Sequence, residues 1–498
     1  MESKRTLGDR PARIAAPGAA GTRSPDRGLT RVALTIAALM GIQLAFGVLT
    51  RAATALPLDF LGQTVASQHS GDCKAIADFD GDGHADLAVG GATLVWYSAP
   101  AWNPNLIATA SVEFTTDMEA VDLDGDGDID IVVPDGTAGV YWYENVNAGQ
   151  SWTRRLIGAA GGMYTHDVEV GDIEGDGDLD VVGHPLDGPI IVYRNNGATW
   201  SARSLTTSGG EGLDLADLNG DGRLDLITSG QWHRAPAGDY MTAAWPTHVY
   251  DQGRLGQLLK VEAAELDGDG RMDIAVTPAE GSGEIAWLKS PVDPLTGTWV
   301  RTVLRAGADR YHSLILTDLD ANGWLDLVTA QMHTAQSGPN LEVYLNSGGG
   351  AGFTRQILAS ASSHNMVVGD LNADGSPDLA GCDYIGNPPV RAWMNQAEFT
   401  SAVPPVRTGL DLAAFPNPFN AHVSVTITAP VAGPAQLRIH DLQGRVVRDL
   451  WSGMSTGAPV ALTWNGLDDD GAAAASGVYH LVLSSHRERL SLPIVLVK

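Results

Sequence analysis

Cysteine is almost missing from this chain: 498 residues contain two, Cys73 and Cys382. That excludes a disulfide framework as the basis of its stability. One bridge between them stays open, as do two buried apolar thiols. Basic side chains are also scarce, with 31 Lys and Arg against 59 Asp and Glu and a net charge of −28. No basic stripe is available to meet phosphates, which argues against a nucleic-acid partner. Three motifs are absent as well: the Gly-x-Ser-x-Gly elbow, the phosphate loop and the His-Glu-x-x-His pair. Charged residues are few for the length and glycine is abundant, at 59. Short strands joined by Gly-rich turns fit that balance better than long helices.

What is present is one short acidic loop, written seven times. Its first copy runs Asp78-Phe-Asp80-Gly-Asp82-Gly-His-Ala-Asp86, and the others start at Asp122, Asp172, Asp217, Glu265, Asp318 and Asp370. The starts are 44, 50, 45, 48, 53 and 52 residues apart. A steady period of this length signals a repeat architecture. Oxygen-bearing residues at alternate positions, with glycine at the bend, are how a chain wraps calcium. Positions 1, 3, 5 and 9 hold 25 carboxylates in all, so the acidity is concentrated in the repeats. It is spaced like ligands, although a solvated acidic surface is the simpler alternative.

Each repeat reads as four short strands. In the third these are His166–Gly171, Asp180–His184, Ile190–Arg194 and Trp200–Leu205. The outer strands of the fourth repeat, around Trp232 to Tyr250, have no clear place. The seventh repeat lacks a fourth strand after Met394-Asn395, and Asp59–Val65 resembles the fourth strand Gly352–Leu358. We therefore expect the N-terminal strand to complete the last sheet and close a ring, removing exposed sheet edges. The fold class is all-β: a seven-bladed β-propeller followed by a small Ig-like β-sandwich.

The acidic loops resemble those of FG-GAP/VCBS repeats, as in the integrin α-subunit propeller and many secreted bacterial proteins. The resemblance spans about residues 57–398. It implies one structural calcium per loop, up to seven, held by positions 1, 3, 5 and 9 and a backbone carbonyl at position 7. The ligands would be Asp78, Asp80, Asp82 and Asp86 in the first loop, then Asp122, Asp124, Asp126 and Asp130. The third loop offers Asp172, Glu174, Asp176 and Asp180, and the fourth Asp217, Asn219, Asp221 and Asp225. Glu265, Asp267, Asp269 and Asp273 follow, then Asp318, Asp320, Asn322 and Asp326. The last set is Asp370, Asn372, Asp374 and Asp378. Glu174 and Glu265 depart from the usual Asp, and three Asn residues remove charge, which points to weaker or differently shaped sites.

Residues 32–49 carry no charge and follow Arg23, Arg27 and Arg31. Residues 1–55 read as a signal peptide cleaved near Ala55, or alternatively as a membrane anchor. Residues 56–398 are the expected propeller, 399–410 a Pro-containing linker, and 411–498 a β-sandwich. The Pro416-Asn-Pro418-Phe-Asn420 start, the Asp441-Leu-Gln-Gly444-Arg445 turn and the Ala475–Tyr479 strand resemble the FlgD-like Ig domain. They are similar, more loosely, to the sorting domain of type IX secretion. The resemblance implies bacterial-type export, with a secreted or cell-surface location. A plain structural Ig module is the alternative.

The loops also index the opposite face of the disc. Six residues before each loop start stand Asp72, Thr116, His166, Glu211, Leu259, His312 and His364. Second strands return to the same face near His184, Gln231 with His233, Gln331 with His333, and Asp383. Three readings follow. The face binds a carbohydrate or an extracellular protein. Or it is catalytic, with His166, Glu211, His312, His333, His364 and Asp383 as candidates for metal binding or acid–base work. Or the histidines only satisfy strand ends. The Gln331-Met-His333 and Ser363-His364-Asn365 segments resemble parts of secreted propellers that include polysaccharide lyases and a sugar dehydratase. That makes a carbohydrate lyase the enzymatic alternative.

Overall fold

The computed structural model describes residues 57–396, except 70, 160, 198, 207–209, 337 and 349–351. It also describes 411–497, except 416–418, 421, 429–432, 442–445, 456–459, 468–472, 475–476 and 486–487. The expected signal peptide and linker, and parts of the Pro416–Asn420 and Asp441–Arg445 motifs, lie outside the described residues. Among those described, every regular element is a strand apart from one 3-10 turn at Gln252–Arg254.

Seven four-stranded antiparallel sheets account for residues 60–395. Their first strands are Gly71–Ala77, Glu119–Val121, Thr165–Gly171, Leu213–Ala216, Leu259–Ala264, Ile315–Thr317 and Val367–Gly369. Each touches the first strand of the next sheet, and Val367–Gly369 touches Gly71–Ala77, so the sheets are blades of a closed ring. Phe60–Ala66 pairs antiparallel with Val390–Asn395 and supplies the outer strand of blade seven. The N-terminal strand does close the propeller.

The core lies between neighbouring blades. One cluster joins Val65, Leu371 and Val390 of blade seven to Leu87, Val89 and Tyr97 of blade one. Another joins Phe79 and Trp96 of blade one to Ile131 and Tyr143 of blade two. Each such side chain contributes roughly 1.5–3 kcal/mol through burial. Cys73 and Cys382 are buried free thiols in these two separate clusters. The bridge left open by the sequence is not formed, and both residues act as small apolar side chains.

Blade four departs from the expected pattern. Its second strand is only Asp225–Thr228, and Gly230, at φ +81°, turns the chain back early. Gln231–His233 is therefore the third strand, and Thr247–Val249 the fourth. Contrary to the sequence expectation, Gln231 and His233 do not end a second strand. His233 pairs with Leu226, near the acidic loop, and its Nδ1 lies 3.1 Å from Thr247 Oγ1.

The C-terminal domain is a two-sheet β-sandwich. Asp411–Phe415, Val423–Thr428 and Val460–Trp464 form one sheet. The other has the order Phe419–Asn420, Glu488–Val497, Gly477–Ser485, Gly433–Asp441, Val446–Ser455. Trp464, Leu437, Ile439, Leu481 and Ile494 fill the space between them. The Trp464 indole N–H is satisfied by Leu467 O at 2.8 Å.

Candidate functional site

Each acidic loop joins the first and second strands of its blade, at one rim of the disc. In the first loop, Asp78 accepts the N–H groups of Asp82 (3.1 Å) and Gly83 (2.9 Å), and Asp122 does the same for Asp126 and Gly127. Asp78, Asp80 and Asp86 bring ligand oxygens within 4.8 Å of one another, as do Asp122, Asp124 and Asp130. That donor set suits a hard divalent cation. The ninth position has a further role that the loop pattern did not reveal. Asp86 pins the loop through Phe79 N–H (3.1 Å) and the end of the third strand through Ala99 N–H (2.8 Å). Asp130, Asp326 and Asp378 repeat this with Asn145, Asn346 and Asn395. Burial pushes the Asp86 and Asp130 carboxyls up to about 7, against the pull of those hydrogen bonds.

Three loops carry their own cations. Arg223 and Arg234 both reach Asp221 in the fourth loop, at 2.5 and 2.8 Å. In the fifth, Lys289 contacts Asp267 and lies 2.8 Å from Asp269, which Arg271 also engages. Arg194 pairs with Glu174 at 2.9 Å in the third. These side chains already neutralise part of the carboxylate charge of their loops.

The inner edges of the blades present backbone N–H groups that need partners. An oxygen from the preceding blade supplies one at four of the junctions. Asp72 accepts from Thr116 (3.2 Å), Asp167 from Gly212 (3.0 Å), Asp214 from Ala263 (2.6 Å), and Ser313 Oγ from Met366 (3.0 Å). At the closing junction the polarity reverses. Buried Lys74 donates to His364 O (2.5 Å), Gly71 O (3.0 Å) and Asp72 O (3.2 Å), which uses all three ammonium protons.

At the mouth opposite the acidic loops, four of the six candidate side chains converge. His312 Nε2 lies 2.6 Å from Glu211 Oε1, and His166 Nδ1 is 3.8 Å from the same oxygen. The rings of His312 and His364 stack with centroids 3.6 Å apart, and His166 meets His312 edge-on at 6.0 Å. His364 Nδ1 sits 2.6 Å from Asp72 Oδ1. His333 and Asp383 form a separate pair: the carboxylate accepts the His333 backbone N–H at 2.8 Å and lies 2.8 Å from ring Nδ1. Tyr384 links the two groups, with ring centroids 5.5 Å from His333 and 4.6 Å from His364. Glu280 adds an exposed carboxylate 3.6 Å from His312 Nε2. Counting back from the loops could not find it, because it lies in the connection between the second and third strands of blade five. His184 stands opposite Asp167 in blade three and is buried beside this cluster. Thr116 and Leu259 offer no charge there.

Electrostatics differ sharply among these groups. Burial disfavours a charge on Glu211, but His312 and His166 outweigh it and hold the carboxyl below its usual range. Burial also opposes a charge on His166, yet Glu211 and Asp167 raise it. His364 is lowered to about 4, first by burial and then by the neighbouring His312. Burial opposes ionisation of Asp167 too, and Lys260 at 2.7 Å overrides it.

Family models match this chain in two places. The FG-GAP-like repeat matches residues 122–183, 175–228, 265–329 and 318–381. The FlgD Ig-like domain matches 418–488. The chain carries four FG-GAP-like repeats and a FlgD Ig-like domain. Every FG-GAP-like segment starts at or inside an acidic loop and ends in the second strand after the next loop, so the repeats are out of phase with the blades. Integrin alpha-7 of Rattus norvegicus is 33% identical over 87 residues, 15% of this chain, and the chain spans only 8% of its length. The crystal structure of BBS1N in complex with ARL6DN, soaked with mercury, shares 12% identity at a TM-score of 0.44. The match covers 69% of this chain and 98% of that one. PorZ, a surface component of the type-IX secretion system of Porphyromonas gingivalis, shares 15% at 0.40, over 84% and 58%. At those scores neither structure bears on what this chain binds.

Proposed function

We propose that this chain is an exported, calcium-braced binding module whose ligand, a carbohydrate, docks at the channel mouth opposite the acidic loops. The observation that carries this reading is the grouping of Tyr384, His333 and Glu280 at the rim above a buried histidine–carboxylate cluster. A half-buried aromatic ring flanked by fixed polar groups offers both a stacking face and directional hydrogen bonds, which suits a sugar ring. Asp383 fixes His333 from two sides, so the polar groups are held before ligand arrives. Export and surface attachment are supported by the FlgD Ig-like domain and the apolar segment 32–49. Among the described residues no helix is long and apolar enough to cross a membrane. Calcium would be held by the loop carboxylates and would brace the turns.

The test is an array of soluble polysaccharides and extracellular matrix proteins probed with the full chain in calcium. Binding to a polysaccharide that Tyr384→Ala abolishes supports the reading, whereas capture only by proteins would move the ligand class. One observation favours a second reading, a carbohydrate lyase. The Asp383–His333 pair is an oriented imidazole, the arrangement a general base requires. Turnover of a bound polysaccharide that His333→Ala eliminates, with binding retained, would establish it.

A further inference from the structure

Glu211 is an anomaly for the simple binding reading. Its side chain is 0% exposed, and neither carboxylate oxygen completes an aligned hydrogen bond. His312 Nε2, also fully buried, lies 2.6 Å away without hydrogen-bond alignment. The two imidazoles offset its charge, but a fully buried carboxylate without an aligned hydrogen bond is still costly. It makes sense as a ligand, since His166, Glu211 and His312 bring one donor atom each within 4.8 Å of one another. We propose that these three residues form a mononuclear transition-metal site of the zinc class, distinct from the acidic loops, with Glu280 closing it from the rim.

Chemistry and geometry support the assignment. Two imidazoles and one carboxylate are a common protein set for zinc that leaves a fourth position open. Metal–ligand distances of about 2.0–2.1 Å in a tetrahedron put ligand atoms roughly 3.3 Å apart. The observed separations are 3.8 Å for His166 to Glu211 and 3.6 Å for His312 to Glu280. The His312–Glu211 pair, at 2.6 Å, needs to open by about 0.7 Å to reach that separation. His312 Nδ1 lies 3.2 Å from Asn365 Oδ1, so a proton on Nδ1 leaves Nε2 as the free donor. That outer hydrogen bond is how a ligating histidine has its tautomer and ring plane fixed. Asn365 is itself held by Thr116 O and sits at φ +49°, a left-handed conformation.

The three ligands come from blades three, four and six, so the ion would tie separate blades together across the channel. Three neighbouring groups temper it. His166 Nδ1 also lies 3.3 Å from Asp167 Oδ2, a contact that metal binding must displace. Lys260 lies 4.0 Å from Glu211 but is already paired with Asp167 at 2.7 Å. His364 forms a second possible set with Glu280 and His312, and sharing those two residues means one ion rather than two.

The experiment is zinc and cobalt titration of the full chain in excess calcium, followed by calorimetry and by the visible bands of four-coordinate cobalt. One tight equivalent per chain is expected, displaced from cobalt to zinc. His312→Ala should remove it. Asn365→Ala, which touches no metal, should weaken it roughly 10–100-fold. Melting curves in calcium monitor folding of each variant. If a variant fails to fold, the wild-type cobalt spectrum still decides between four-coordinate and octahedral binding. No stoichiometric binding, octahedral cobalt alone, or equal affinity in folded His312→Ala would overturn the proposal. These outcomes leave the carbohydrate reading intact, because Tyr384→Ala tests that independently.

Discussion

Phe60 and Asn395 are partners in one antiparallel strand pair, although they stand at opposite ends of the propeller sequence. The segment is also clamped sideways. Leu58 N–H donates to Gln356 Oε1 at 3.0 Å, and Gln356 Nε2 donates to Leu58 O at 2.6 Å, tying it to blade six. Deleting residues 57–66 should expose the edge of Val390–Asn395 and invite pairing between chains. We expect a lower, broader melting transition and oligomers by light scattering. A monomer with an unchanged transition would show that closure contributes little.

The oxygen caps between blades give a second prediction. Asp214 accepts Ala263 N–H at 2.6 Å and Leu215 N–H at 2.7 Å. Asp214→Ala leaves both without that partner and should cost roughly 1–3 kcal/mol in denaturant unfolding. Asp178→Ala, on an exposed loop, should change stability by less than about 0.5 kcal/mol. Equal effects would remove the special role of the inner carboxylates.

Calcium removal should lower the melting temperature, since the loops otherwise hold unneutralised carboxylates. Fewer than seven ions should bind tightly. The fourth and fifth loops already carry Arg223, Arg234, Arg271 and Lys289. Lys289→Ala should therefore raise the number of tight calcium equivalents measured by titration. No change on adding chelator would contradict the bracing role.

Glu342 sets an acid limit on stability. Burial would raise its carboxyl, but Arg355 (2.6 and 2.7 Å), Arg305 (2.6 and 2.8 Å) and Tyr311 (2.7 Å) hold it down at about 2. The folded value is depressed from 4.5, so its stabilisation is complete above that pH and is lost as pH falls toward about 2. The contribution is on the order of 3 kcal/mol. Comparing wild type with Glu342→Gln between pH 6 and 2.5 checks it. The gap between them should narrow on acidification; a constant gap would rule the linkage out.

Local, periodic features were the legible ones. Acidic loops fix their own turns, so counting from Asp78 or Asp370 placed the first strands and led to His166, Glu211, His312 and His364. The expected return of the second strand misplaced His233, because Gly230 shortens that strand in blade four. Glu280 and the Asn365–His312 bond escaped, since both depend on which blades face each other across the channel. Asp167, Asp214 and Glu262 carry a signal the loop pattern does not use: an acidic residue within the first strand of successive repeats.

The central claim is that the mouth opposite the acidic loops binds carbohydrate. Its most direct test is polysaccharide-array binding by the full chain in calcium, comparing wild type, Tyr384→Ala and Asp178→Ala. The account predicts a saturable signal for wild type and Asp178→Ala that falls at least about tenfold in Tyr384→Ala, a loss of roughly 1.4 kcal/mol. Equal binding by all three proteins would contradict it.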